Sequence, residues 1–196
     1  MEFSVEMKYV LDSFWLLISG CLVMWMAAGF AMLETGLVRS KNASTQLLKN
    51  VALFSLASIA YFIVGFNLMY PGDDWIIDGW MGGFSLTGLE PAGVGADGVD
   101  LTYASVGSDF FFQLMFCAAT ASIVSGTVAE RVKLWPFLIF TIVLTGIFYP
   151  ISASWQWGGG WLSEAGFSDF AGSTVVHATG AAAALAGAMV IGARHG

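Results

Sequence analysis

Long apolar segments constrain this chain more than any other feature of its sequence. Five of them reach roughly the 20 residues that an α-helix needs to cross the hydrocarbon core of a bilayer. They cover residues 11–38, 46–70, 109–129, 134–155 and 172–193. Charged residues make up only 11% of the chain, against roughly a quarter in soluble domains. The sequence therefore predicts an all-α fold, a polytopic membrane helix bundle.

Basic residues fall almost entirely on one side of this predicted topology. Six of the seven Lys and Arg residues follow or enter the spans on that side, and Lys8 alone lies on the other. Because cytoplasmic loops tend to carry Lys and Arg, this side is predicted to be cytoplasmic and the N-terminus to lie outside. The outer side collects most of the acidic residues behind the net charge of −7. Solvation of the loops is the simpler interpretation of these acids, and attraction of cations is the alternative.

Two sequence patterns carry little information in this context. Gly93–Gly98 matches G-x-G-x-x-G, but a dinucleotide site also needs a strand before the motif and a helix after it. The motif lies in the long outer loop 71–108, so no nucleotide cofactor is predicted. Cys21 and Cys117 lie within spans without a C-x-x-C spacing. We interpret both as buried thiols and predict neither a zinc site nor a disulfide.

Ionisable residues within predicted spans are costly to bury and are functional candidates by default. Glu34 and Glu130 lie near the cytoplasmic span ends, beside Arg39 and Arg131, so ion pairing is their simpler interpretation. His177 has no opposite charge near it at membrane depth. A neutral imidazole both donates and accepts hydrogen bonds and can exchange a proton near neutral pH. A function for His177 is favoured, and a structural hydrogen bond to a backbone carbonyl is the alternative.

The sequence around His177 supports this interpretation. Small residues recur every four positions, at Gly180, Ala184, Ala188 and Gly192, and such a stripe lets neighbouring helices approach closely. Ala184 follows His177 by seven residues, about two helical turns, so both side chains should project in nearly the same direction. We therefore expect His177 to point into a tightly packed bundle and away from lipid.

Aromatic residues are concentrated near the outer ends of the third and fifth spans. Phe112 and Phe116 share a helix face about 5–10 Å below the outer surface, and core packing is the simpler interpretation of such a pair. The connection before the fifth span reads WQWGGGW from Trp155 to Trp161. Interfacial tryptophans commonly anchor spans, but the three glycines permit a tight backbone path that aims one indole into a vestibule. An indole face can bind a small cation there.

Four segments carry a resemblance to a known family. They read GFAMLETGLVRSKN at 29–42, FQLMFCAATASIVSGTVAERV at 112–132, WGGGWL at 157–162 and DFAGSTVVH at 169–177. In their order and spacing, the whole chain resembles the N-terminal half of an ammonium transporter of the Amt/MEP/Rh family. The resemblance implies eleven helices in two inverted five-helix halves, assembled as a homotrimer in the cell membrane. Residues 1–196 would supply the first five transmembrane helices, and the second half is absent.

The resemblance also assigns roles to individual residues. Trp157 matches the aromatic residue that receives ammonium in the outer vestibule, and Phe116 matches one of two stacked gate phenylalanines, with Phe112 nearby. Asp169 matches the carboxylate that supports this site, and His177 matches the first of two paired pore histidines. A desolvated ammonium ion is too costly to move along apolar walls as a free charge. An imidazole at this depth would accept a hydrogen bond and help separate the proton from ammonia.

The function implied is transport of ammonium, or its analogue methylammonium, through a hydrophobic pore in a lipid bilayer. A cytoplasmic regulatory protein is a candidate partner, and no cofactor, metal or nucleic acid is predicted. The alternatives are an ammonium sensor that uses the same vestibule without transport, and a non-conducting fragment or structural membrane subunit. An enzyme is not predicted, because neither H-E-x-x-H nor G-x-S-x-G occurs. Five spans would make the chain a fragment of a longer transporter or a separately encoded half.

Overall fold

The computed structural model describes residues 4–86 and 101–194, and this part of the chain is mostly helical, which confirms the predicted fold class. Its first half contains α1 (Val5–Leu37), a 3₁₀ turn (Ser40–Asn42), α2 (Ala43–Ala60), a π-helical turn (Tyr61–Gly65) and α3 (Phe66–Met69). A small antiparallel hairpin follows, formed by β1 (Trp75–Ile77) and β2 (Met81–Gly82). The second half contains α4 (Val106–Thr127), α5 (Leu134–Val143), a π-helical turn (Leu144–Phe148), α6 (Tyr149–Ser154), α7 (Trp161–Glu164) and α8 (His177–Ile191).

Four helical stretches of the described chain are long and apolar enough to cross a membrane. They are Val5–Leu37, Ser40–Met69, Val106–Thr127 and Leu134–Ser154. The fifth predicted span corresponds to α8, which has only 15 residues. At 1.5 Å per residue α8 is about 22 Å long, less than the roughly 30 Å hydrocarbon thickness. Regular helix begins at His177 and not at residue 172, and irregular turns at residues 173–176 precede it.

Helix α4 is the central element of the bundle, since it contacts α1, α2 and α8. Two groups of buried apolar side chains surround it, one around Tyr61 and Tyr149 and the other around Leu53 and Phe137. By contrast, α1 leaves most of its apolar side chains exposed, including Trp25, which is 75% exposed. An apolar exposed surface of this kind suits contact with lipid or with other protein surfaces.

The two cysteines differ in their environment. Cys117 on α4 is fully buried, and its thiol donates to the carbonyl oxygen of Thr145 at 3.4 Å. Cys21 on α1 is exposed. The prediction of a buried thiol is therefore right for Cys117 and wrong for Cys21, because Cys21 lies on a face of α1 that no described element covers.

Glu130 joins three segments of the chain at one end of the bundle. Its Oε1 accepts hydrogen bonds from the backbone nitrogen of Arg39 at 2.9 Å, from Nε of Arg39 at 3.2 Å and from Nδ2 of Asn42 at 2.6 Å. Its Oε2 lies 2.9 Å from a guanidinium nitrogen of Arg194. The predicted ion pairing of Glu130 is thus confirmed, with Arg39 and Arg194 as its partners. Glu130 adopts a positive φ of 62° to make these contacts, a conformation that is uncommon outside glycine.

Arg131 lies at the same end and donates to the backbone carbonyls of Thr127 and Gly192. We call the end that holds Arg39, Arg131 and Arg194 the basic end of the bundle. The opposite end carries the hairpin and Asp169, and we call it the acidic end.

Glu34 does not form the expected ion pair. It is buried, and its Oε2 accepts hydrogen bonds from Gln46, from Asn50 at 3.0 Å and from Ser125 at 2.6 Å. Sequence proximity to Arg39 is misleading here, because α1 ends at Leu37 and Arg39 turns toward Glu130. Neutral donors on α2 and α4 contact the carboxylate directly, and the nearby charge is that of buried Lys49, which donates to the carbonyl oxygen of Ser125 at 2.9 Å.

The Glu130 contacts predict a pH-dependent stability. Hydrogen bonds from Asn42 and from Arg39, together with the Arg39 charge, lower the pKa of Glu130 from 4.5 to about 2. A carboxylate with a lowered pKa stabilises the folded state above its unfolded pKa, and this contribution is lost as the pH falls from about 4.5 toward 2. We expect Glu130→Gln to lower the melting temperature of the purified protein at pH 7, with the difference from wild type shrinking across that window. Thermal unfolding in detergent between pH 7 and pH 3 measures this difference.

Glu164→Gln is a suitable control for this experiment, because Glu164 is exposed on α7 at the acidic end. That variant should melt like wild type. A difference for Glu130→Gln that stays constant between pH 7 and pH 3 would contradict the expected role of the ionised carboxylate.

Candidate functional site

The hairpin and the tryptophan-rich connection between α6 and α7 support each other at the acidic end. The rings of Trp80 and Trp161 stack with centroids 4.7 Å apart and an interplanar angle of 10°. Nε1 of Trp155 donates to the carbonyl oxygen of Trp80 at 2.8 Å, and the backbone nitrogen of Trp161 donates to Gly79 at 3.0 Å. The hairpin lies within the predicted outer loop 71–108, while Gly93–Gly98 falls outside the described residues. These contacts fix the connection that carries Trp157.

The three glycines of this connection do allow the tight backbone path that the sequence predicts. A Cβ atom on Gly158 would overlap the carbonyl oxygen of Met69 and lie 2.8 Å from Cα of Ser154. Gly159 adopts a φ of +80°, which side chains other than glycine rarely tolerate. The chain can therefore reverse direction directly after Trp157.

Trp157, Phe116 and Phe112 form one aromatic group, although they come from two separate parts of the chain. The rings of Phe116 and Trp157 have centroids 5.9 Å apart at an interplanar angle of 62°. Phe112 and Phe116 meet edge to face, with centroids 4.9 Å apart at 82°. Such edge-to-face contacts are a favourable arrangement of aromatic rings. Three of the predicted site residues thus lie together, with Phe116 in contact with both Phe112 and Trp157.

Asp169 holds the Trp157 indole of this aromatic group in place. Its main-chain carbonyl accepts a hydrogen bond from Nε1 of Trp157 at 2.8 Å. Its side chain is buried, and the two carboxylate oxygens accept four backbone N–H hydrogen bonds of 2.8–3.0 Å from residues 172–175. Burial by itself would raise the pKa of Asp169, but these four hydrogen bonds outweigh it and hold the pKa below its usual value. The carboxylate is therefore ionised and fully engaged in shaping the turn that leads into α8.

A cavity of about 810 Å³ opens beside the aromatic group. Among the described residues, its walls are mainly aromatic and apolar and include one carboxylate but no Lys or Arg side chain. A space with these walls is suited to a small cation, because aromatic faces attract positive charge. Neither Asp169 nor His177 contributes to the lining, which is formed by Trp15, Leu16, Ser19, Phe66, Asn67, Tyr70, Tyr103, Ala104, Val106, Asp109, Phe112, Gln113, Phe116, Trp157, Phe170 and Ala171.

His177 lies deeper than the aromatic group. The hydroxyl of Thr120, one helical turn beyond Phe116, lies 3.1 Å from the Phe116 carbonyl and 3.5 Å from the carbonyl of Val176. Thr120 therefore links Phe116 to the residue directly before His177. One turn of α4 corresponds to a depth of about 5.4 Å.

The expectation that His177 points into a packed bundle is wrong for the described chain, because His177 is exposed. Gly180 and Ala184 are buried as the small-residue stripe predicts, and a Cβ on Gly180 would lie 3.0 Å from Ile123 of α4. At the level of His177, however, Val176 is the buried residue, with 1% exposure. The imidazole lies about 100° around the helix from Val176, on a side that is exposed in the described chain.

The sequence interpretation missed the polar residues of the cavity wall. Nε2 of Gln113 donates to the hydroxyl of Tyr70 at 2.8 Å, and Asp109 lies one turn before Gln113 on α4. A usable signal was present, because residues 109, 112, 113 and 116 recur at helical spacing on one face.

Comparison with known proteins gives a consistent result. The family model described as Ammonium Transporter Family matches residues 14–196. Over 94% of its length the chain is 44% identical to ammonium transporter Amt2 of Archaeoglobus fulgidus, and over 93% it is 34% identical to the ammonium transporter of Bacillus subtilis. The crystal structure of Mep2 from Saccharomyces cerevisiae superimposes with a TM-score of 0.80 at 25% identity, covering 97% of this chain. The chain spans 39%, 44% and 42% of these three proteins, respectively.

Proposed function

Because this chain belongs to the ammonium transporter family, we propose that it forms the N-terminal part of a pathway that moves ammonium or ammonia across a cell membrane. The observation that carries the proposal is the contact of Trp157, Phe116 and Phe112 at the wall of a cavity without Lys or Arg. The chain covers less than half of its relatives, so the remaining wall of the pathway comes from sequence that it does not contain. Homotrimeric assembly, an outside N-terminus and a cytoplasmic regulatory partner belong to the same proposal.

Recruitment of the cation takes place at Trp157 in this proposal. The indole of Trp157 is held by the hydrogen bond from its Nε1 to the main-chain carbonyl of Asp169. Because the ring is already ordered, binding of a cation costs no conformational entropy of this side chain. A cation over a desolvated aromatic face gains about 1–2 kcal/mol. This energy offsets part of the hydration that ammonium loses on leaving water.

Proton and ammonia separate beyond the gate. Phe116 blocks free passage of a hydrated ion, and the region below it is apolar, so a bare ammonium ion would meet a large desolvation penalty. His177 lies about one turn of α4 deeper, with no described residue over it. In the complete pathway this exposed face becomes the pore wall, and its imidazole accepts a hydrogen bond from the substrate.

Uptake of labelled methylammonium by cells without their own ammonium transporters tests the proposal. Cells that express the full reading frame containing this chain are expected to take up methylammonium saturably. The Trp157→Leu variant should raise the apparent KM about 5–30-fold, the equivalent of 1–2 kcal/mol. Its maximal rate should change little, because the cavity still opens to the same gate.

Trp135→Leu is the matched control, since Trp135 is 75% exposed on α5 and does not line the cavity. It should transport like wild type. An unchanged KM in Trp157→Leu would reduce Trp157 to an interfacial anchor. If the assembled wild-type protein binds methylammonium but shows no uptake, the sensor alternative replaces transport.

A further inference from the structure

Asp109 is a buried carboxylate that the aromatic site does not use. It lies in the first turn of α4, it is only 9% exposed, and it lines the cavity beside Phe112. Its Oδ1 is buried and has no hydrogen-bond partner among the described residues. Asp109 forms no salt bridge with a Lys, Arg or His of the described chain. A buried carboxylate oxygen without a donor is costly, so a donor supplied from elsewhere is expected.

Gln113 presents a second free acceptor one turn further along α4. Its Nε2 donates to the hydroxyl of Tyr70 at 2.8 Å, and the same amide group interacts with the Asp109 carboxylate. Oε1 of Gln113 is likewise buried without a partner among the described residues. Residues four apart on a helix lie on the same face. Asp109 and Gln113 therefore carry two buried acceptor oxygens on one face of α4, one of them on a carboxylate.

We propose that Asp109, with Gln113, forms an acceptor site for ammonium at the acidic end of α4 and determines the affinity of the outer cavity for its cation. Ammonium carries four N–H donors and one positive charge, and the aromatic rings satisfy the charge but accept hydrogen bonds poorly. The two oxygens supply the acceptors that Trp157, Phe112 and Phe116 lack. This inference rests on the proposed transport function.

A structural role for Asp109 has a different chemical signature. A protonated Asp109 could donate its own hydrogen to Oε1 of Gln113 and need no cation. Asparagine has the same shape and a neutral donor, so Asp109→Asn would preserve that arrangement. The same substitution removes the charge that an ammonium ligand requires.

The test measures methylammonium uptake by the full-length protein and, in parallel, equilibrium binding of methylammonium to the purified protein by calorimetry. We expect Asp109→Asn to raise the apparent KM and the Kd roughly 10-fold, as for loss of a charged hydrogen bond, while the maximal rate stays within about twofold. Asp109→Glu should recover part of the affinity. Asp78→Asn, which removes an equal charge from the exposed hairpin turn, should leave both constants unchanged.

Each outcome has a separate meaning. If wild type transports and Asp109→Asn keeps its KM and Kd, the acceptor site is refuted and the transport proposal stands. Equal losses in Asp109→Asn and Asp78→Asn would also refute it, because general electrostatic attraction would then suffice. If wild type shows no uptake, the transport proposal fails, and the calorimetric Kd of Asp109→Asn still decides whether Asp109 binds the cation.

Discussion

Replacing His177 by alanine in the full-length protein is expected to abolish ammonium flux, or to uncouple it from proton movement, without disturbing assembly. The imidazole is exposed and its side chain makes no hydrogen bond to a described residue, so its loss removes little packing. What it would remove, on the proposed mechanism, is the group that accepts a hydrogen bond from the substrate beyond Phe116. General acid–base groups commonly contribute about 100-fold or more to a rate, and we expect a decrease of at least that size.

Flux into proteoliposomes, with size-exclusion chromatography to verify assembly, measures this effect. His177→Gln provides a graded comparison, because an amide accepts a hydrogen bond but does not exchange protons near neutral pH. If hydrogen bonding to the substrate matters, His177→Gln should pass more ammonia than His177→Ala. If proton exchange alone matters, the two variants should pass the same amount. Wild-type flux in His177→Ala would remove the imidazole from the mechanism.

We expect the second large effect from Asp169→Ala, which should lower the stability of the folded protein. Four backbone N–H groups would lose their acceptor at a site where the carboxylate is only 7% exposed. Each buried donor left without a partner costs about 1–3 kcal/mol, and the sum is a large part of the roughly 5–15 kcal/mol that stabilises a typical domain. We expect poor yield and a strongly lowered melting temperature. The turn before α8 would loosen first.

Asp169→Asn separates geometry from charge in this prediction. Its amide keeps the shape and one acceptor oxygen but turns a donor toward two of the four N–H groups, so an intermediate yield is expected. Glu164→Ala, at the exposed acidic residue of α7, is the control for loss of charge at the same end. Normal yield of Asp169→Ala together with altered transport would instead mean that the carboxylate acts on the cation electrostatically.

Apolar length was sufficient to predict the helical membrane fold, while the grouping of Phe112 and Phe116 with Trp157 came from the resemblance to a family. Apolar length is a property of each segment alone, and the four-residue spacing of Phe112 and Phe116 places both on one face of any helix. The bend after Trp157 was also predictable, since consecutive glycines tolerate the positive φ and the close backbone approach that a tight turn requires. These inferences use local rules that tertiary packing does not override.

Features that depend on partners from distant segments were not predictable. The start of α8 follows from Asp169 binding the amides that a regular helix would use, and the position of Val176 against α4 then turns His177 to an exposed side. Glu34 pairs with amides of α2 instead of the arginine nearby in sequence. The position of Asp109 in a cavity wall is evident only in the folded chain, where α3, α4 and the tryptophan-rich connection enclose that cavity.

Helix α8 is held at each end by a carboxylate that lies outside the helix. Asp169 binds the backbone just ahead of it, and Glu130 binds Arg194 just after it. Sliding or rotation of a helix held in this way would strain the backbone hydrogen bonds at one end or the ion pair at the other. These two tethers therefore oppose any shift of His177 along the axis of α8 relative to Phe116.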